Sequence, residues 1–249
     1  MLHESNAFPG KAVKMLSKKV DTILISFEEA RKELPKAKNI VLTGTPTKVK
    51  DLELSRMQKN EVLRQLGLKQ DKPVVLVFGG SQGAKAINDT ITKIINEKLN
   101  KNYQIMWAPG PLQFDLVKQR IKNLSKQKEV KIVPYIYNME EVMNSVDLVI
   151  SRSGAMTITE ISRVGKPAIF VPLPHVSNNH QEYNAKVLES VNAARIILNK
   201  ELNAEELNKQ IEDIILNPKK MEEMGKNAQK IAVANVEDKI YEEVKKLVK

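Results

Sequence analysis

The sequence predicts an α/β chain, a parallel sheet with helices on both faces, and three observations carry that prediction. Seven short runs rich in Val, Ile and Leu, each of strand length, fall at 22–26, 40–43, 73–78, 103–108, 130–133, 147–150 and 167–171. Segments of helical period lie between them. The clearest puts Ala84, Ile87, Ile91, Ile94 and Ile95 on one helix face. Finally, 249 residues that are 42% hydrophobic and 28% charged are enough to bury a sizeable core. Strand, helix, strand in this order means parallel units, which bind ligands beyond the carboxyl ends of their strands.

The elements group along the chain. Residues 1–45 hold two strand-length runs, and two parallel strands cannot bury both faces. That stretch therefore reads as the end of a truncated N-terminal domain. Residues 46–71, with Pro46, mixed charge and a short helix ending near Gly67, read as a connector. Residues 72–225 supply a complete doubly wound domain, and 226–249 are helical and expected to pack back toward the N-terminal part. Asn217-Pro218 breaks the helical stretch that begins at Glu201. No internal repeat is present.

Composition excludes several classes. Without cysteine there is no disulfide framework, thiol nucleophile or Cys-ligated metal. No apolar run approaches the roughly 20 residues of a membrane-spanning helix, and the first 20 residues mix charge with apolar positions unlike a signal peptide. The chain carries 40 Lys and Arg against 30 Asp and Glu, a net +10. Over residues 1–70 there are 14 basic and 8 acidic side chains, so the excess is concentrated there. An anionic partner is implied, a diphosphate ligand or an acidic lipid surface. Nucleic acid is disfavoured, because aromatic residues are only 4% and no basic run is interleaved with them.

Two glycine-bearing turns follow strand-length runs and open helices. In the first, Gly79-Gly80-Ser81-Gln82-Gly83-Ala84-Lys85, glycines let the backbone approach a phosphate and the helix start offers free N–H groups. It is not a Walker A loop, since Lys85 is followed by Ala86. The second is Ser151-Arg152-Ser153-Gly154-Ala155-Met156-Thr157-Ile158-Thr159-Glu160. A helix starting near Ala155 brings Ser153, Thr157 and Glu160 to one face. Hydroxyls and N–H groups there suit a diphosphate, and a carboxylate one turn further in suits the two hydroxyls of a ribose. A third loop, 172–184, is rich in amide and imidazole groups, as sugar hydroxyls require. No histidine pair has helical metal-ligand spacing, so no metal is expected.

HESN at 3–6, GTP at 44–46, GGSQGA at 79–84, SRSGAMTITE at 151–160 and NNHQEYNA at 178–185 together resemble the MurG family of GT-B glycosyltransferases, the bacterial N-acetylglucosaminyltransferases of peptidoglycan synthesis. The resemblance implies a Rossmann-like C-terminal domain that binds UDP-GlcNAc. It also implies a lipid-linked MurNAc-pentapeptide acceptor, no cofactor, and a peripheral place on the cytoplasmic face of the cell membrane, against an anionic surface. By motif, Gly80, Ser81, Gln82, Gly83, Ser153, Gly154, Ala155, Met156 and Thr157 border the diphosphate and Glu160 takes the ribose. Tyr135 and Ile136 receive uracil, His180 and Gln181 face the sugar, and Asn6 contacts it from across the cleft. Lys48 and Thr45 stand where the family often has arginine and asparagine, a loss of bidentate geometry.

The implied reaction is an inverting displacement in which this chain binds the donor and transfers little by itself. The base is unassigned, with His3, Glu4 and His180 as candidates. The alternatives are a donor-binding subunit that works with a separate acceptor-domain chain, and a UDP-GlcNAc epimerase of the same fold.

Overall fold

Alternation of the apolar runs with amphipathic helices produces two parallel sheets. The computed structural model describes residues 1–80, 83–174 and 179–248. The first sheet has the order β1-β2-β3, with β1 (Leu2–Glu4), β2 (Ile23–Ile25) and β3 (Ile40–Leu42) joined through α1 (Lys11–Leu16) and α2 (Glu29–Lys32). After α3 (Arg56–Gln65) the second sheet begins. Its strands are β4 (Val74–Phe78), β5 (Gln104–Ala108), β6 (Val130–Ile132), β7 (Leu148–Ser151), β8 (Ala168–Phe170) and β9 (Ala194–Ile196), in the order β6-β5-β4-β7-β8-β9. The helices that follow β4 to β8 are α4 (Lys85–Asn96), α5 (Phe114–Arg120), α6 (Met139–Ser145), α7 (Ala155–Val164) and α8 (His180–Ser190). Three more, α9 (Ala204–Ile215), α10 (Pro218–Gln229) and α11 (Val236–Lys245), complete the chain.

All seven expected runs form strands, and two further strands were not expected. The N-terminal sheet has three strands, not two, because Leu2–Glu4 pairs in parallel with Ile23–Ile25. β9 pairs with β8 in the same way. Neither is an unbroken apolar run: Leu2-His3-Glu4 holds one apolar residue, and Ala194-Arg195-Ile196 is interrupted by arginine.

Strand alternation separates the two faces of the large sheet. Val75, Val77, Ile105, Trp107, Leu148 and Ile150 turn to the side covered by α4, where Ile87, Ile91, Ile94 and Ile95 are at most 1% exposed. Each such isoleucine contributes about 1.5–3 kcal/mol of hydrophobic free energy. On the other face, Val74, Leu76, Phe78, Met106, Val149 and Phe170 pack in a core that also takes in Ala7, Phe27, Val49 and Leu63. The loops that leave β1 and β2, and the segment after the small sheet, are thus packed against the large sheet through shared apolar contacts, while Ile23 and Ile25 of the small sheet form a separate cluster with Ala30 and Leu34.

Two contacts brace the underside of α7. Its C-cap, Gly165, has φ +69°, and Gly225 of α10 lies so close that a Cβ there would sit 2.5 Å from the Gly165 carbonyl oxygen. The neighbouring Lys166 donates from Nζ to the carbonyls of Asn144 (3.0 Å) and Val146 (2.7 Å), closing the end of α6. Burial, with a smaller push from Lys59, lowers its ammonium to about 8.

Gly225→Val is expected to lower stability by about 1–3 kcal/mol, because the helix crossing cannot admit the side chain; urea unfolding measures it. For Lys166 the folded value lies below the unfolded value of about 10.4, so between the two the unfolded chain holds the proton that the folded chain has released. Relative to Lys166→Met, wild-type stability should be flat up to about pH 8 and rise from there to about pH 10.4. Parallel unfolding curves across that range check the sign.

Candidate functional site

The order of the large sheet reverses between β4 and β7, the crevice position where open α/β sheets take ligands. Both strands run into turns that open helices at their carboxyl ends. α4 starts from Ala84 and α7 from Gly154, each in extended conformation and neither with a side-chain cap. The first N–H groups of α7, those of Ala155, Met156 and Thr157, therefore have no acceptor within the helix, and Lys85, Ala86 and Ile87 stand likewise on α4. Such ends attract anions.

The β4 turn is held from below. Gly83 has φ +70°, and a Cβ there would lie 2.4 Å from the Pro109 carbonyl oxygen, so only glycine fits. Its N–H donates to Gly80 O at 2.9 Å. Asn88, buried on α4, fixes the neighbouring loop: its Nδ2 donates to Pro109 O (3.0 Å) and Gln113 Oε1 (2.8 Å), and its Oδ1 accepts from Trp107 Nε1 (3.1 Å). Ser81 and Gln82 lie outside the described residues.

At the β7 turn the expected residues divide. Gly154, Ala155 and Thr157 are half-buried and Met156 is exposed, all at the helix start. Ser153 is different. It is fully buried and its hydroxyl donates to the Gln181 carbonyl at 2.7 Å, so it fastens the turn to α8 and is not turned to a ligand. The sequence expected that hydroxyl at the diphosphate; spacing along the chain could not register an acceptor on another helix. Arg152 is buried as well. Its Nη1 donates to the carbonyls of Val171 (2.8 Å) and Pro172 (3.0 Å) and to Asn199 Oδ1 (3.0 Å). Its Nε has no hydrogen-bond partner, and burial disfavours its charge.

Glu160, one turn further along α7, borders a pocket of about 210 Å³ whose walls are Phe78, Gly80, Ala108, Gly110, Pro134, Tyr135, Ile136 and Met139. Tyr135 is 49% exposed and Ile136 buried, giving an aromatic edge and an apolar floor opposite the carboxylate. Burial raises the Glu160 pKa, partly offset by the Thr47 hydroxyl, 3.2 Å from Oε1. The pocket can hold a flat ring at Tyr135 and two hydroxyls at Glu160.

Residues of the loop after β1 reach the second turn through Asn184. This fully buried side chain accepts from Ala7 N–H (2.8 Å) and donates to Asn6 Oδ1 (3.0 Å) and to the Ser153 carbonyl (3.2 Å). Asn6 is thereby brought to the β7 turn. Gln181 accepts from Leu173 N–H at 2.9 Å, and with His180 it begins α8. Lys48 is exposed beside Thr47. Glu4 does not serve as a base candidate: its buried carboxylate accepts from Asn6 N–H (2.9 Å), Asn6 Nδ2 (3.0 Å) and Gly10 N–H (2.8 Å), which shapes the loop. His3 is engaged too, donating from Nε2 to Gly44 O at 2.9 Å with Ser5 Oγ 3.3 Å from Nδ1.

Sequence reasoning missed Asn88, Asn184, Arg152 and Thr47. A signal existed for the first two, since each is a polar residue in an apolar stripe: Asn88 lies between Ala84 and Ile91, Asn184 one turn before Leu188. For Arg152 and Thr47 no local pattern marks the acceptor. Asn184→Ala strips partners from buried Ala7 N–H and is expected to cost about 1–3 kcal/mol, read by urea unfolding.

Comparison with known proteins shows the family. Residues 74–240 match the glycosyltransferase family 28 C-terminal domain. The chain is 40% identical over 249 residues to the UDP-N-acetylglucosamine–N-acetylmuramyl-(pentapeptide) pyrophosphoryl-undecaprenol N-acetylglucosamine transferase of a Thermoanaerobacter species, covering 99% of this chain and 67% of that protein. It is 39% identical to a Bacillus cereus transferase of the same description, with 100% and 67% covered. The crystal structure of Acinetobacter baumannii MurG superposes with a TM-score of 0.79 at 27% identity, over 98% of this chain and 67% of that one. Anabaena Alr3699/HepE, solved in complex with UDP, shares the fold at a TM-score of 0.64 and 17% identity, with 98% and 72% covered. The chain has the GT-B architecture and belongs to glycosyltransferase family 28, within which it groups with the MurG N-acetylglucosamine transferases.

Proposed function

We propose that this chain binds UDP-GlcNAc and acts in the inverting transfer of its N-acetylglucosamine to undecaprenyl-pyrophosphoryl MurNAc-pentapeptide, the reaction named for its relatives. One observation carries the reading. Two adjacent strands deliver two uncapped helix starts to the side of a pocket whose one carboxylate, Glu160, faces an aromatic edge. Diphosphate, ribose and uracil are the three chemistries such a site accommodates together.

In the displacement, an acceptor hydroxyl attacks the anomeric carbon while the bond from that carbon to the diphosphate oxygen breaks, and the electron pair leaves with UDP. Growing charge on the diphosphate is the main electrostatic demand. Oriented N–H groups at the starts of α4 and α7 answer it without reorganising during the reaction. Among the described residues no group of three or more His, Asp or Glu side chains gathers as a metal site would, and no step proposed here uses a metal. A base must take the hydroxyl proton. Of the three candidates His180 stands at the start of α8, next to Gln181, whose carbonyl Ser153 holds.

An anionic membrane surface is the proposed setting. Met15 and Leu16 lie exposed on or beside exposed Lys11, Lys18 and Lys19, a pairing of apolar and cationic groups that favours acidic lipid. Among the described residues no helix is long and apolar enough to cross a membrane.

Calorimetric titration of the purified chain with UDP-GlcNAc, UDP-glucose and the Glu160→Ala variant tests the reading. Saturable binding that prefers UDP-GlcNAc and weakens about tenfold or more in the variant is expected. A folded chain that binds neither nucleotide sugar would overturn it.

A further inference from the structure

Thr47 lies in the segment between the two sheets, directly after the GTP motif at 44–46 and before Lys48, and is only 8% exposed. Its Oγ1 accepts from Val49 N–H at 3.2 Å and lies 3.2 Å from Glu160 Oε1. A hydroxyl has one proton, and with a backbone N–H filling a lone pair that proton is directed to the carboxylate. The anchor is firm. Val49 is 4% exposed and belongs to the main core, Lys50 N–H donates to Glu140 Oε1 (2.9 Å), and Leu52 N–H donates to Asn144 Oδ1 (3.0 Å) while Asn144 Nδ2 returns a bond to Lys50 O (2.8 Å). Residues 47–52 are thus stapled along α6, on the same body as Glu160.

We infer that Thr47 is a positioning residue for the donor: it fixes the Glu160 carboxylate from the side and so sets how strongly the site selects a ribose with both hydroxyls. A carboxylate offers about four acceptor positions. Thr47 takes one on Oε1, which leaves acceptor positions on both oxygens for a vicinal diol. A carboxylate pinned in this way loses little freedom when the diol arrives, whereas an unpinned one must be ordered at that moment. The neighbouring pocket residues Phe78, Ile136 and Met139 carry no charge, so burial and the Thr47 hydroxyl are the influences on Glu160. This role rests on the proposal that Glu160 takes the ribose.

The test uses the full chain in four forms, wild type, Thr47→Val, Thr47→Ser and Glu160→Gln, with Thr47→Ala as a second truncation should valine disturb the fold. Glutamate carboxyl-13C NMR follows the Glu160 titration without ligand, and calorimetry compares UDP with 2′-deoxy-UDP. Expected for Thr47→Val is a Glu160 midpoint displaced upward, UDP affinity about fivefold to tenfold lower, and a narrower gap between UDP and 2′-deoxy-UDP, with all three restored by serine. An unchanged titration and unchanged affinities would overturn the inference. A displaced titration alongside UDP binding that ignores both Thr47→Val and Glu160→Gln would overturn the ribose reading itself, and with it the selectivity assigned to Thr47.

Discussion

The pairing of β4 with β7 is the constraint on which the rest of the structure depends. Val75 to Phe78 run in parallel register with Leu148 to Ser151, so the two strands end at the same level and their turns open side by side. Connections leave the sheet in opposite senses from this pair, toward β5 and β6 on one side and toward β8 and β9 on the other. The connections that leave β4 and β7 thus diverge, and a crevice results from topology before any side chain is considered. The Val, Leu and Ile side chains that fill both faces of these strands serve the site indirectly, because they hold the register that aligns α4 with α7.

Around that crevice the polar side chains divide into those that build it and those that face it. Asn88, Ser153, Arg152 and Asn184 are buried, and each bonds backbone or amide groups on other elements. They give buried backbone carbonyls and N–H groups partners that secondary structure does not provide. Among the described residues, Glu160 and Tyr135 border the open volume. The hydroxyl of Ser153 shows how easily the two classes are confused, since a serine in a glycine turn has the right chemistry for either.

Fold and site were legible to different degrees, for a physical reason. Strand and helix signals are local and periodic, so runs such as 73–78 and the stripe through Ile87 and Ile91 announced their elements. Leu2–Glu4 and Ala194–Ile196 did not, because the first has a single apolar residue and the second is interrupted by Arg195, so that only pairing with β2 and β8 makes them strands. The turns were visible as glycine and serine between a strand and a helix. The fastening of those turns was not, because contacts such as Asn184 to Ala7 span 177 positions and depend on how sheets pack, which no window along the chain contains. Thr47 illustrates the same limit within the connector, whose composition read only as mixed charge.

The open starts of α4 and α7 carry a cost in the empty protein. Three helices away from the crevice are closed by their own side chains: Ser55 and Gln58 form a reciprocal cap on α3, and Asn203 and Asn217 cap α9 and α10. Ala84 and Gly154 have no side-chain oxygen to offer; Ala84 forgoes the roughly 1 kcal/mol that a capping side chain supplies, and Gly154 a few tenths. Stability has been withheld where an anion can restore it, so a serine or aspartate installed at position 154 would strengthen the resting fold by occupying the very N–H groups a ligand needs. Resting stability and ligand affinity at this turn therefore draw on the same few hydrogen-bond donors, and neither can be raised there without lowering the other.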